Sequence, residues 1–400
     1  MDNARDTGDE RYVATAAAEP ATPSGAVVAQ ASQLRLASVE SVRALAAIGV
    51  VVGHTWGASG GDFYATFGDR IISAIAFGAF FFFALTGALL YLPFARRDFG
   101  AGRAIDLRQY AVNRALRIFP LYFVSVIVVL VVIDGGATVE QWLRWMLFLE
   151  NYWPDELLEV NGVLWTLVVE LYYYATLPLV AWGVARVARG SMRRAALVLL
   201  ALGLASFAIR ARYWLLPDPA EQNDYVYFSI FSTYYLMAAG MLAALTHVHW
   251  SRRRPGWVRG PLASSDMWFL AAVPLWLAVA WDYDYDLLLA PASFLVLGGC
   301  LFPLEGRRLF VRLLEWRPIV MVGLTSYSIY VWHGPILELV TREANGPDSF
   351  LPLLAVILPL VIAWALLSYR VVEEPALRLR RRWAGAAAPS PQRAGSRAGS

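Results

Sequence analysis

The sequence predicts an all-α polytopic membrane protein with about ten transmembrane helices and both termini in the cytosol. Three observations predict it. The chain is 58% hydrophobic and 16% charged, with a mean hydropathy of +0.50, whereas a soluble protein of its 400 residues needs roughly a quarter of them charged. Its apolar residues come in long runs rather than periodic stripes. The loops between those runs alternate between Arg-rich and acid-rich, as the retention of Arg on the cytosolic side dictates.

A span needs about 20 mostly apolar residues. Candidates lie at residues 41–58, 71–94, 118–133, 163–185, 195–209, 226–246, 267–281, 287–303, 318–340 and 350–370. The stretch 141–151 is apolar and aromatic but too short to cross, so a re-entrant or interfacial helix is expected there. Arg96, Arg97, Arg103, Arg108, Arg114 and Arg117 fill the loop between the second and third spans. The next loop carries Asp134, Glu140, Glu150, Asp155, Glu156 and Glu159 against one Arg, and the alternation continues to the end of the chain. Odd-numbered spans then run outward and even-numbered spans inward.

Residues 36–382 are the expected membrane domain. Residues 1–35 and 383–400 read as disordered cytosolic tails, and the first of these lacks the apolar run of a signal peptide. All basic residues are Arg, which with the high Ala content points to a GC-rich bacterium and hence a multi-pass protein of its plasma membrane. Cys300 is the only cysteine and the four histidines are scattered, so no disulfide, metal or cofactor is expected. No nucleic-acid partner is expected either.

Ionisable residues at membrane depth are costly and mark candidate sites. Eleven residues separate Arg43 from His54, which places them on one helix face within about 20° and ~16 Å apart. Arg43 falls at the cytosolic rim, as an anchor or a site residue. His54 falls deep, as an interhelical hydrogen-bond partner or a general base. Glu170, in the fourth span, matches the depth of His54, and pairing between them would satisfy both, either fixing the imidazole tautomer or merely pinning two helices. Arg114 and Arg117, three residues apart, suit a phosphate, or serve only to set topology. Thr86 and Gly87 permit close helix approach. His333 is a second deep histidine beside Pro335, where it contacts substrate or satisfies carbonyls freed by the proline. His247 and His249 are expected in solvent at the cytosolic end of the sixth span.

Several of these residues fall into a pattern: Arg43 followed by ten residues and His54; Phe82-Phe-x-x-Thr86-Gly87; Arg114-x-x-Arg117; Trp165-Thr-Leu-x-x-Glu170 followed by tyrosines; Tyr327-Ser-x-Tyr330-x-Trp-His333; and Ser368-Tyr-Arg-x-Val-Glu-Glu374-Pro375. Taken in order, they resemble the acyltransferase family 3 membrane proteins. The resemblance implies ten helices and transfer of an acyl group, usually acetyl, from cytosolic acyl-CoA to a hydroxyl of a carbohydrate or glycoside at the outer face. It makes His54 the catalytic base and Arg43 its motif partner, and it assigns Arg114 and Arg117 to the donor's phosphates. Glu170 joins His54 as a catalytic candidate. Thr86, Trp165, Tyr330 and His333 are candidates for contacting substrate. Thr86 stands where the family often has Ser, and the hydroxyl is retained. Some family members append an extracytoplasmic hydrolase-like domain, which is not expected here. Tyr152, Trp153, Trp281 and the acidic stretch Asp282 to Asp286 are candidates for a sugar-binding outer loop. The alternative is a proton-coupled transporter in which His54, Glu170 and His333 form a relay.

Overall fold

Lipid offers no partner for a backbone N–H or C=O, so a chain this apolar closes its hydrogen bonds within helices. The computed structural model describes residues 25–63, 65–153, 161–215, 224–281, 283–305, 308–343 and 346–379. Helices and the turns between them account for these residues, and none of them lies in a strand. In chain order the main helices are α1 (Gly25–Ala58), α2 (Phe67–Ala76), α3 (Gly78–Phe99), α4 (Leu107–Val128), α5 (Val139–Met146), α6 (Trp165–Ala188) and α7 (Met192–Leu215). There follow α8 (Ile230–Arg252), α9 (Ser265–Trp281), α10 (Leu289–Leu301), α11 (Leu309–Leu314), α12 (Arg317–Leu324), α13 (Ser326–Glu338) and α14 (Phe350–Ser368).

Six described segments are long and apolar enough to cross a membrane: Ala37–Ala58, Phe67–Phe99, Leu107–Ile133, Trp165–Ala188, Met192–Arg212 and Phe350–Leu379. The other four expected spans differ from these for local reasons. α8 is long but carries more polar residues, and it is buried along most of its length. The apolar helices Ser265–Trp281 and Asp286–Leu301 are short. The ninth span is divided at Thr325 into α12 and α13. The expected second span likewise breaks at Phe77, and its first part starts with a capping box in which Thr66 and Asp69 satisfy each other's backbone N–H.

Close approach of α3 and α8 forms the centre of the bundle. A Cβ on Gly240 would lie 1.8 Å from the Ala84 carbonyl oxygen, and one on Gly87 would lie 2.2 Å from that of Met237. Small residues thus let two backbones touch, as the sequence suggested for Gly87. Thr86 beside it turns the other way, towards Glu170.

α1 begins at Gly25, and residues 1–24 and 380–400 lie outside the described residues. Two expectations need correction. His247 is buried rather than solvated, because its Nδ1–H finds the Leu301 carbonyl at 2.7 Å, while His249 is exposed. Asp286, placed in the expected outer loop, is buried together with Arg210. They form an ion pair with side-chain exposures of 0% and 1%, in which Arg210 Nε and Nη2 donate to Asp286 Oδ2 at 2.9 and 2.6 Å. A pair so far from water fixes α7 against the segment that leads into α10.

Candidate active site

α1 and α13 run parallel, and two polar contacts fasten their shared seam. At one end Arg43 Nε donates to Ser326 Oγ at 3.2 Å. At the other, His54 Nδ1 and His333 Nε2 stand 2.8 Å apart, with the rings 4.9 Å between centroids and 25° from parallel. Arg43 and His54 therefore do share a helix face, as their spacing required.

Proton counting fixes the roles in this pair. His333 Nδ1 lies 2.6 Å from the Tyr330 carbonyl oxygen. A carbonyl only accepts, so Nδ1 of His333 carries a hydrogen, and in the neutral ring its Nε2 is a lone pair. His54 Nδ1–H then donates to that lone pair, which leaves the Nε2 lone pair of His54 free. His333 is 1% exposed, whereas the His54 ring is open. The buried histidine orients the accessible one. Pro335 contributes indirectly: it lacks the N–H that would bond the Val331 carbonyl, and the Asn161 side-chain amide lies 3.5 Å from that oxygen instead.

Glu170 does not pair with His54. Its Oε1 accepts from Thr86 Oγ1 at 2.7 Å and its Oε2 from the Tyr174 hydroxyl at 2.9 Å. Matching depth on two helices says nothing about the direction each side chain faces, and Glu170 faces a different space. That space is a cavity lined by Arg43, Arg114, Arg117, Glu170, Thr86 and Ser326, with Phe82, Phe83, Tyr174, Tyr327 and Tyr330 among its apolar and aromatic walls.

The two arginines of α4 enter this cavity differently. Arg117 Nη1 donates to Glu373 at 3.0 Å, and the Ser328 hydroxyl donates to the other oxygen of that carboxylate at 2.5 Å. The Arg117 guanidinium lies 5.5 Å from the centre of the Tyr327 ring. Arg114 lies 6.0 Å from the Tyr174 ring centre, and its Nε has no hydrogen-bond partner among the described residues. Glu373 belongs to a motif that the sequence displayed without a role; its role is to hold Arg117. Trp332 makes a second tie between the last two motifs, its Nε1–H donating to Ser368 Oγ at 2.9 Å.

Tyr330 is part of the cavity wall, and Trp165 packs behind it against Phe83, which also lines the cavity. Trp165 meets Phe80, Phe83 and Phe228 edge-on or tilted. The Tyr330 hydroxyl is held by Thr166 Oγ1 at 2.9 Å and by the Val163 carbonyl at 3.0 Å. Its ring stands 5.5 Å from that of His333 and 6.0 Å from that of Phe82, so it lies between His333 and the cavity that it lines. Tyr152, Trp153 and Trp281 are exposed, and the Arg144 guanidinium covers the Trp153 ring at 4.3 Å. Asp282 lies outside the described residues. No group of three or more metal-ligating side chains exists among the described residues.

These features define a helical membrane protein with a polar site inside its bundle, composed of a histidine pair and an arginine-lined cavity. The chain belongs to acyltransferase family 3, whose model, described as an acyltransferase domain, matches residues 36–370. It is 26% identical over 338 residues to YrhL of Bacillus subtilis, whose name assigns it provisionally to the peptidoglycan O-acetyltransferases; the match covers 74% of this chain and 50% of YrhL. It is 25% identical to nodulation protein 10 of Rhizobium leguminosarum, over 85% of this chain and 92% of that one. It is 22% identical to the O-acetyltransferase OatA of Staphylococcus aureus, over 85% of this chain and 57% of OatA. The chain thus spans about half the length of YrhL and OatA. No solved structure matches it.

Proposed function

We propose that this protein is a membrane O-acyltransferase that moves an acyl group, acetyl by preference, from cytosolic acyl-CoA to a hydroxyl of a carbohydrate or glycoconjugate at the outer face. The observation that carries the reading is the directed chain from His54 through His333 to the Tyr330 carbonyl, which leaves a free basic nitrogen on an accessible ring beside an arginine-lined cavity. The names of the acetyltransferase relatives support acetyl as the group and sugar as the acceptor.

The chemistry follows from those positions. His54 Nε2 takes the proton of the acceptor hydroxyl. The oxygen attacks the thioester carbonyl, the new C–O bond forms, and the C–S bond breaks. The CoA thiolate leaves and is protonated, returning His54 to its neutral state. During the reaction the imidazolium of His54 still donates from Nδ1 to the neutral His333, so the charge forms on a ring already held in place. General-base assistance of this kind is worth about 10²–10⁴-fold. Arg43, Arg114 and Arg117 supply positive charge for the donor's phosphates, and the aromatic walls admit the pantetheine arm. The alternation of loop charges supports a cytosolic Arg114 end and an outward His54 end.

A proton-coupled transporter needs a continuous relay through His54, Glu170 and His333. The hydrogen bonds divide these three into two groups, with Glu170 tied to Thr86 and Tyr174, which favours the enzyme. The test is His54→Ala in a bacterium that depends on this protein for its envelope or secreted glycan esters. The expected result is normal insertion and loss of the base-labile acyl groups. Esters that persist in the variant, or purified protein that binds no acyl-CoA, overturn the reading.

A further inference from the structure

We infer that Phe82 sets the acyl-chain length this protein transfers, by filling the passage between the arginine-lined cavity and the histidine pair. The inference rests on the acyl-transfer reading above. The cavity touches Phe82 and Tyr330 but neither histidine, and Tyr330 stands between it and His333. A thioester delivered from the arginine side must therefore bring its carbonyl past these two rings to meet an acceptor oxygen at His54.

The two rings are held unequally. Both contacts of the Tyr330 hydroxyl anchor it, so it is a fixed post. Phe82 has no polar atom to tie down. Its ring meets that of Tyr330 at 6.0 Å and 66°, and the Arg43 guanidinium lies 6.0 Å from its centre. Its helix cannot retreat to make room, because Gly87 and Gly240 already bring α3 and α8 into backbone contact. Of the two rings at this point, Phe82 is the one that no hydrogen bond fixes, so its side chain is the adjustable limit on the space for an acyl chain. A methyl needs little of it, and each further methylene must share it with the ring.

The reaction is the same for every donor: the acceptor oxygen replaces the CoA sulfur at the carbonyl, and CoA leaves as the thiol. Chain length changes only the fit, and a methylene that does not fit costs roughly a factor of 10–200. Inverted membrane vesicles containing the protein, together with the glycans of the producing bacterium, are given equimolar labelled acetyl-CoA and butyryl-CoA. The base-labile acetate and butyrate on the glycans are then measured. The unaltered protein is expected to transfer mainly acetate. Phe82→Ala should raise the butyrate-to-acetate ratio by about tenfold or more, with Phe82→Leu in between. Because both donors compete in one sample, the ratio does not depend on how much protein is folded. Phe82→Leu carries the test if the alanine variant fails to insert.

An unchanged ratio in variants that still transfer acetate overturns the inference while leaving acyl transfer intact. So does an unaltered protein that transfers butyrate as readily as acetate. Vesicles in which the unaltered protein esterifies nothing overturn the acyl-transfer reading itself, and the length inference with it.

Discussion

His54 and His333 meet nitrogen to nitrogen at 2.8 Å across the seam of two parallel helices, and the Tyr330 carbonyl behind them decides which nitrogen donates. In the proposed reaction the pair takes the part of the carboxylate–histidine pair of hydrolases, with a neutral ring in place of the carboxylate. That substitution suits a membrane interior, where a buried anion costs far more than a buried imidazole.

Removing His333 should therefore impair the reaction without removing the base. In His333→Phe, His54 loses the acceptor for its Nδ1–H, and its tautomer and ring angle are no longer fixed. The turnover rate should fall by about 10²–10⁴-fold, while acyl-CoA affinity stays within a factor of two or so, since neither histidine lines the arginine-lined cavity. A parallel loss of donor affinity would show that the pair braces the cavity instead. His54→Ala should abolish turnover, and the double variant should be no worse than His54→Ala alone.

Arg117 has two duties that variants can separate. It neutralises Glu373, whose side chain is 2% exposed, and it charges the cavity. Breaking a buried pair from one side costs about 3–5 kcal/mol, because the remaining charge is left uncompensated. Arg117→Met should thus be less stable in detergent than Arg117→Met combined with Glu373→Gln. Both should bind acyl-CoA more weakly, with a shallower salt dependence than the unaltered protein. Equal stability of the single and double variants would show that Glu373 is not held by Arg117 alone.

The sequence made legible what repeats along one helix. Hydropathy and loop charge predicted an all-helical membrane protein, and eleven-residue spacing put Arg43 and His54 on one face. Contacts between helices were not legible in the same way. Depth could be counted from span ends, and by depth Glu170 was an apt partner for His54. The direction in which each side chain faces depends on helix rotation, which no count of residues sets, and it gave His54 to His333 and Glu170 to Thr86 and Tyr174. Asp286 was read as part of an acidic outer loop because it stands at the end of an apolar run, and nothing along the chain pointed to Arg210 as its partner. Glu373 was visible in its motif, but its role depended on Arg117, 256 residues away.

Gly240 offers a test of the packing that fixes the cavity wall. A methyl there would sit 1.8 Å from the Ala84 carbonyl oxygen, and this backbone cannot yield as a side-chain end can. Gly240→Ala should destabilise the detergent-solubilised protein by about 1–3 kcal/mol or more. Gly183 lies within α6 with nothing within 4 Å of a built Cβ. Gly183→Ala should leave stability unchanged or raise it by up to about 1 kcal/mol, by helix propensity alone. Equal effects at the two positions would mean that α3 and α8 are not in backbone contact.

The last prediction concerns pH and the segment that carries α5. Glu150 is 1% exposed, and its Oε1 lies 2.7 Å from the Tyr122 hydroxyl. That same hydroxyl lies 2.8 Å from the Trp145 carbonyl. Tyr122 has one proton, and the carbonyl can only accept, so a neutral Glu150 that donates to Tyr122 completes both bonds. Burial pushes the Glu150 carboxyl up to about 8, against the opposing hydrogen bond from Tyr122. The folded protein therefore keeps a proton that the unfolded chain releases near pH 4.5. The stability contributed by protonated Glu150 is full below that pH, declines as pH rises, and is gone above about 8. Hydrogen exchange of residues 139–153 should accordingly quicken between pH 6 and pH 9, after correction for the intrinsic rate. Glu150→Gln keeps a buried donor and cannot ionise, so its protection should be flat across that range. A variant with the same pH slope as the unaltered protein would place the titrating group elsewhere.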